Sequence, residues 1–392
     1  MPTRRRKPAA RPRTSSRKRA RAVSLLVATR KGAFIYKSDP ARRAWKITGP
    51  IQLGAEINHL LADPREPRRL LMASKTGHLG PTVFRSADAG RAWKEAARPP
   101  AFPKVAEGQT GPAVSRVFWL TPGHDSQPGV WYAASGPPGL FRSEDHGDTW
   151  APVSGFNDNL LPRIKDAVGA VPGGDALVHS LRIDPRDARH MYIGLSVGGI
   201  FESMDAGRSW KALNKGVAAD FLPDKDAEYG HDPHTLCIHP MNPDRLYHQN
   251  HCGIYRLDRP GVTWSRIGDN MPKAIGDIGF PLVLHPRDPE TLWVLPMDGT
   301  TIWPRTSVGG KPAVYRSRNG GRSWQRQDKG LPRAQAWLTT KRQAMSGDDC
   351  EPLGLYFGTT GGEVWASRNE GESWTQIGAH LPEILSIAAV AS

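Results

Sequence analysis

Ser86-Ala87-Asp88-Ala89-Gly90-Arg91-Ala92-Trp93 decides the reading of this chain, because the same spacing returns four more times. The pattern Ser-x-Asp/Asn-x-Gly-x-x-Trp ends at Trp93, Trp150, Trp210, Trp324 and Trp374, and places Asp88, Asp145, Asp205, Asn319 and Asn369 at its third position. Trp45 and Trp264 keep the rhythm with a degenerate turn, in which Pro40 and Arg259 stand at the acidic position and Gly261 is retained. The seven tryptophans are spaced by 48, 57, 60, 54, 60 and 50 residues, a period that marks a repeated structural unit.

Each box follows an apolar stretch, such as Val83-Phe84, Leu140-Phe141 or Ile200-Phe201, and leads into a Trp-bearing segment, so it joins two strands by a tight turn. The glycine supplies a backbone conformation that other residues adopt at a cost. The Asp or Asn accepts hydrogen bonds from turn amides, and the indole packs back into the sheet. In the second unit the four strands read roughly 57–62, 69–74, 82–86 and 92–96. Later units open alike, with Val178-His179-Ser180-Leu181-Arg182-Ile183-Asp184-Pro185, His234-Thr235-Leu236-Cys237-Ile238-His239-Pro240 and Pro281-Leu282-Val283-Leu284-His285-Pro286. The first unit enters at Leu25-Leu26-Val27-Ala28-Thr29 as if at its second strand, and Ile384-Leu385-Ser386-Ile387-Ala388-Ala389-Val390 has no unit after it. The expectation is an all-β, seven-bladed propeller of four-stranded blades, closed by the C-terminal strand completing blade one.

The formal charge of +15 suggests a nucleic-acid partner, but residues 1–22 carry ten Lys/Arg and no acid, which leaves about +5 for the rest. The division expected is a disordered basic tail over 1–22 and a propeller over 23–392, with nucleic-acid contact confined to the tail if it occurs. No stretch has the length and apolarity of a membrane span. Three scattered cysteines, Cys237, Cys252 and Cys350, give no disulfide framework and favour a reducing compartment, by default the cytoplasm, and a monomer is the expected state.

The boxes resemble the Asp-box, or BNR, repeats of the sialidase-like propeller superfamily, found also in xyloglucanase-type glycosidases, sortilin-type receptors and a photosystem assembly factor. From about residue 23 onward the chain looks like a bacterial group often labelled sialidase-like or glycosyl hydrolase, through stretches such as Leu26-Val27-Ala28-Thr29-Arg30-Lys31-Gly32-Ala33-Phe34, Gln249-Asn250-His251-Cys252-Gly253-Ile254-Tyr255 and Tyr356-Phe357-Gly358-Thr359-Thr360. True sialidase chemistry is not expected. That family has six blades, an Arg-Ile-Pro segment, a three-arginine clamp and a Tyr/Glu pair. Here Arg163-Ile164 lacks the proline, and Tyr229 and Glu228 are merely adjacent.

The long insertions, residues 97–113, 155–177, 211–233, 265–279 and 297–313, all fall in links between blades or between second and third strands, which share one face of a propeller. A ligand site is therefore expected on the face opposite the boxes. Its densest polar stretch runs from Asp224 to His234. Asp226, Glu228 and Asp232 are the candidate catalytic carboxylates. His59, Arg116, His179, Tyr229, His231, His234, Asn250 and His251 are the candidate ligand-binding residues, with His78 on the same rim. His179, His231 and His234 are candidate ligands for a divalent metal. A purely structural account, polar side chains bonded to water and to neighbouring blades, stands beside these. His239 and His285 read as turn caps, Trp119, Trp131, Trp293 and Trp365 as blade core, and Trp303 and Trp337 as open between packing against a neighbouring blade and stacking on a ligand. The lead reading is a carbohydrate or other small-ligand site with glycoside hydrolysis as its chemistry, and the alternatives are a scaffold or assembly factor for a protein partner, or a metal-binding propeller enzyme.

Overall fold

The computed structural model describes residues 21–169, 176–300 and 303–391, so the expectation of a disordered tail falls almost wholly outside the described residues. The chain forms seven antiparallel sheets of four strands each. Blade one takes its inner strand from the C-terminus: Ile384–Ala391 pairs with Val23–Thr29, with Leu25 opposite Ala389 and Val27 opposite Ile387. Closure of this kind hides the backbone edge that the first blade would otherwise expose. Blade two occupies Glu56–Ala62, Leu70–Thr76, Gly80–Ser86 and Lys94–Glu95, close to the sequence reading except that its outermost strand shrinks to two residues. The same shortening recurs at Ala151–Pro152, Lys211–Ala212 and Ser265–Arg266, which leaves little free edge for a second chain to pair with.

The repeated turns work as their residues suggest. In blade three, Asp145 Oδ1 accepts from the Asp148 and Thr149 amides (3.0 and 2.9 Å) and from Ser143 Oγ (2.8 Å), while Ser143 Oγ accepts from the Gly147 amide (2.9 Å). Gly90, Gly147, Gly207, Gly321 and Gly371 all have φ between +83° and +88°, where a Cβ is strained. The indole N–H of Trp93, Trp150 and Trp210 returns to the carbonyl of its own turn glycine, whereas that of Trp324 reaches Ile267 of the preceding blade. Blade one has a substitute that the pattern hid. Asp39, one position before Pro40, accepts from the Arg43 and Ala44 amides at 2.6 and 3.0 Å. In blade five Arg259 instead pairs with Glu202 of blade four at 2.8 Å.

Among the described residues the hydrophobic core is divided among seven clusters, each shared by two adjacent blades and each containing, or packed against by, the turn tryptophan of the later blade. Leu71, Ala73 and Val83 of blade two meet Trp131, Phe141 and Trp150 of blade three, and Tyr356 and Val364 of blade seven meet Val23, Leu25, Tyr36 and Trp45 of blade one. Trp119, Trp131, Trp293 and Trp365 are buried, as expected. The insertion after blade three is more ordered than a loop. Gly155–Leu160 forms a π-helical turn and Leu161–Val168 an α-helix, with Phe156, Leu160, Leu161 and Ile164 packed into the cluster of blades three and four.

On the face of the repeated turns, the caps predicted at His239 and His285 are present: His239 Nδ1 accepts from the Met241 and Asn242 amides, and His285 Nδ1 from the Arg287 amide. The same turns tie blades together. Arg65 donates to His124 O and Gln127 O (2.9 and 2.6 Å), Arg186 to Asp244 (2.7 Å), His239 Nε2 to His285 O (2.8 Å) and Arg287 to Cys350 O (2.9 Å). No described helix is long and apolar enough to cross a membrane, and Cys237, Cys252 and Cys350 are free thiols.

Replacing Trp150 by Ala removes a buried wedge between two blades and should destabilise the fold by about 3–5 kcal/mol. Asp145→Ala removes turn hydrogen bonds at the rim of the same wedge and should cost about 1–3 kcal/mol. Urea unfolding of the two variants beside the parent protein checks the order of these effects.

Candidate functional site

The central bore is divided into two hollows. The larger, about 650 Å³, is lined by His59, Trp119, Arg182 and the turn residues Pro64, His124, Pro185 and Pro240, so it belongs to the side of the repeated turns. The smaller, about 200 Å³, lies toward the long loops and is lined by Arg30, Glu56, Asn58, Arg116, Phe118, Leu177, Phe280, Arg305, Lys341, Arg342, Gln343 and Leu385. Arg342 and Gln343 line both. Gln343 Nε2 of blade seven donates to Phe118 O of blade three at 3.1 Å, a bond that must cross the bore because those blades are not neighbours.

Beside the smaller hollow, four elements of blades five and six bring together Asp232, His234, His251, Phe280 and Trp303. Asp232 and His234 flank the start of the inner strand Pro233–His239, and His251 sits in the turn between Asn242–Asn250 and Gly253–Asp258. His251 donates its backbone amide to Asp232 O at 2.9 Å, which fixes the turn against the strand entrance. Asp232 Oδ2 stands 3.4 Å from His234 Nε2 and 3.6 Å from His251 Nδ1. His234 is 1% exposed, and its Nδ1 is 2.7 Å from Gly279 O, so that nitrogen carries the proton. The Trp303 ring centroid is 4.3 Å from that of His251 and 6.0 Å from that of His234, and the Arg305 guanidinium covers it at 3.9 Å. Trp303 adopts φ +43°, rare for a bulky side chain and the kind of backbone strain found at binding sites.

Charge is concentrated at this mouth. Burial pushes the Asp232 carboxyl up, but the neighbouring His234, with Arg342 and His251, outweighs it and holds the group at about 2. Burial pulls Arg342 down to about 10, with repulsion from Arg305 adding to it and Asp232 opposing. Burial and the neighbouring Arg342 keep His179 well below its ordinary value, and burial and His234 lower His251.

The structure gathers only part of the constellation expected from sequence. Asp226 and Glu228 are exposed and line a separate hollow of about 720 Å³ with Asn214, Lys215, Val217 and His231. Tyr229 stacks on Phe201 at 5.9 Å and accepts from Arg163 at 2.8 Å, which places it over the blade-four core. Nε2 of His231 is 2.8 Å from Ala227 O, and Asn250 Oδ1 accepts from the Cys252 amide at 2.9 Å. His59 accepts from the Leu120 amide at 2.9 Å within the larger hollow, His179 contacts Ser180 Oγ at 3.1 Å, and His78 is exposed at a loop tip. Arg116 does line the mouth. Among the described residues the His, Cys, Asp and Glu donor atoms that converge are those of Asp232, His234 and His251. Of the metal set expected from sequence, His234 is in this group, while His179 and His231 are not, and Asp232 and His251 stand beside His234 instead. Sequence reasoning missed Arg342, because the inner strand of blade seven is only Met345–Gly347 and gives no strand pattern to count back from.

No family model matches the chain. It is similar to a xyloglucanase of Paenibacillus sp (23% identical over 316 residues, 74% of this chain and 29% of that protein). It is also similar to an oligoxyloglucan-reducing end-specific xyloglucanase of Emericella nidulans (24% over 279 residues, 62% and 30%) and to a xyloglucanase of Acetivibrio thermocellus (26% over 280 residues, 65% and 31%). The chain thus spans less than a third of the length of these curated relatives. Among solved structures it shares its fold with the GH74 xyloglucanase from Xanthomonas campestris (TM-score 0.60, 20% identity, 90% of this chain and 52% of that one). It shares it also with a GH74 enzyme of Niastella koreensis (TM-score 0.57, 15% identity, 89% and 51%).

Two imidazoles make stability acid-sensitive. Burial and Arg182 hold His59 down at about 3, and burial holds His248, wedged between Tyr255 and Trp264, well below its ordinary value. The unfolded chain takes up these protons below pH 6.5 and the folded chain does not. Stability is therefore full above pH 6.5 and should fall by about 1.4 kcal/mol per pH unit for each histidine as pH drops toward 3. Melting curves between pH 7.5 and 5 check this, and His248→Phe should flatten the slope.

Proposed function

We propose that the mouth of the bore on the long-loop face binds a saccharide, and that glycoside hydrolysis is the chemistry performed there. The observation that carries the reading is the composition of the smaller hollow: Phe118 and Phe280 bring aromatic rings to its wall, each with the Arg342 guanidinium over it, and Asn58, Glu56 and Arg116 bring polar groups around them. Sugars present this pairing of an apolar ring face with a polar edge, and pockets of this kind are the usual ligand sites of a rigid scaffold. The similarity to xyloglucanases supports hydrolysis as the reaction class. The five Ser-x-Asp/Asn-x-Gly-x-x-Trp turns support placing the chain near the Asp-box propellers of the sialidase-like superfamily.

Among the candidate carboxylates, Asp232 stands at the mouth and is held ionised, as a base or nucleophile requires. Asp226 and Glu228 line the neighbouring hollow and would meet the distal part of a longer chain. Incubation with xyloglucan oligosaccharides and a panel of other β-glucans, read as new reducing ends, tests the proposal. Turnover should fall by about 100-fold or more in Asp232→Asn if the carboxylate acts on the bond, and Glu228→Gln should raise KM with kcat little changed. Absence of both binding and turnover across the panel overturns the reading.

A further inference from the structure

We propose that Asp232, His234 and His251 hold one divalent transition-metal ion, with the coordination that zinc prefers, at the mouth of the bore. The inference rests on the geometry of these three side chains and stands whether or not a saccharide is the ligand of the neighbouring hollow.

Three donor atoms from three points of the fold, Asp232 Oδ2, His234 Nε2 and His251 Nδ1, lie within 4.8 Å of one another. The carboxylate oxygen is 3.4 and 3.6 Å from the two nitrogens, too far for the charge-assisted hydrogen bonds that such groups form at about 2.7–2.9 Å. Bonds of about 2.0–2.1 Å to a tetrahedral ion put its ligands about 3.3–3.4 Å apart. The two carboxylate–imidazole spacings are close to such an edge.

The hydrogen bonding of the ring points the same way. His234 Nδ1 donates to Gly279 O at 2.7 Å, which turns Nε2 toward Asp232 Oδ2. A backbone carbonyl that fixes the far nitrogen of a ligating histidine is the usual outer partner of a metal-bound imidazole. Two imidazoles and a carboxylate form a donor set suited to zinc, iron or manganese, and three protein donors leave a position for a ligand from solution. Trp303 beside His251, and Phe280 at 4.7 Å from His234, wall the group with apolar rings. Arg342 and Arg305 act on the same groups and oppose a bare dication. They favour an anion, hydroxide or carboxylate, as the further ligand of the bound ion.

The test uses the full-length chain, stripped with a chelator and dialysed against Zn²⁺ or Co²⁺. Elemental analysis should give one zinc per chain, and the Co²⁺ form should show the intense visible absorption of a four-coordinate site. His251→Ala and Asp232→Asn should each weaken binding by about 100-fold or more, while His380→Ala, at an exposed position, should leave it unchanged. His251 is half-buried, so His251→Ala should melt like the stripped parent protein, which separates loss of the ion from loss of the fold. Absence of stoichiometric metal in the parent protein, or equal binding by the His251 and Asp232 variants, overturns the proposal.

Discussion

The constraint on which the rest depends is that a four-stranded blade has two apolar faces and can cover neither by itself. Each face must be met by a neighbour, and the chain solves this seven times by driving the turn tryptophan of one blade against the strands of the blade before it. An indole fits this role because it is large enough to reach across the gap between twisted sheets. The Asp or Asn of the turn sets the angle from which it enters. Seven equivalent interfaces leave no first or last blade, and the pairing of Ile384–Ala391 with Val23–Thr29 makes the ring continuous.

The two faces of the ring serve different ends. On the face of the repeated turns the connections are compact, and their Arg and His side chains bond to carbonyls of the next blade. These bonds stiffen the circumference, so the other face is free to carry long insertions without weakening the ring. The polar and aromatic side chains at the mouth of the bore are delivered by those insertions and by the ends of inner strands, which are the least deformable parts of each blade. Asp232, His234 and His251 thus stand on strand ends and a tight turn, while Trp303 is supplied by a longer loop.

The architecture was legible because it is written in local spacing: Trp-to-Trp intervals, a glycine with positive φ and an acceptor two residues before it. The same logic identified His239 and His285 as caps, since each precedes Pro in the place that Asp63 and Asp184 hold in other blades. It failed where one residue of slippage preserved the physics and broke the pattern, as at Asp39, which does the work expected at Pro40. The site was legible in part. Inner-strand openings pointed to His234, which stands beside Asp232 at its strand entrance, but within the run from Asp224 to His234 nothing in the spacing shows that Asp226, Glu228 and Tyr229 turn outward over blade four. Arg342 and Arg305 escaped notice because the charge that Arg342 brings to Asp232, and Arg305 to His251 and Arg342, is set by how blades five, six and seven converge, a long-range fact with no local sequence signal.

Gln343 makes its bond to Phe118 O across the diameter of the ring. A propeller is often pictured as a tube of blades that touch only their neighbours, but a strut of this kind, with Arg342 beside it, ties opposite walls together between the two hollows. Blades three and seven are thereby coupled directly as well as through the blades that separate them, so a shift of one inner strand is felt on the far side of the ring without passing around its circumference.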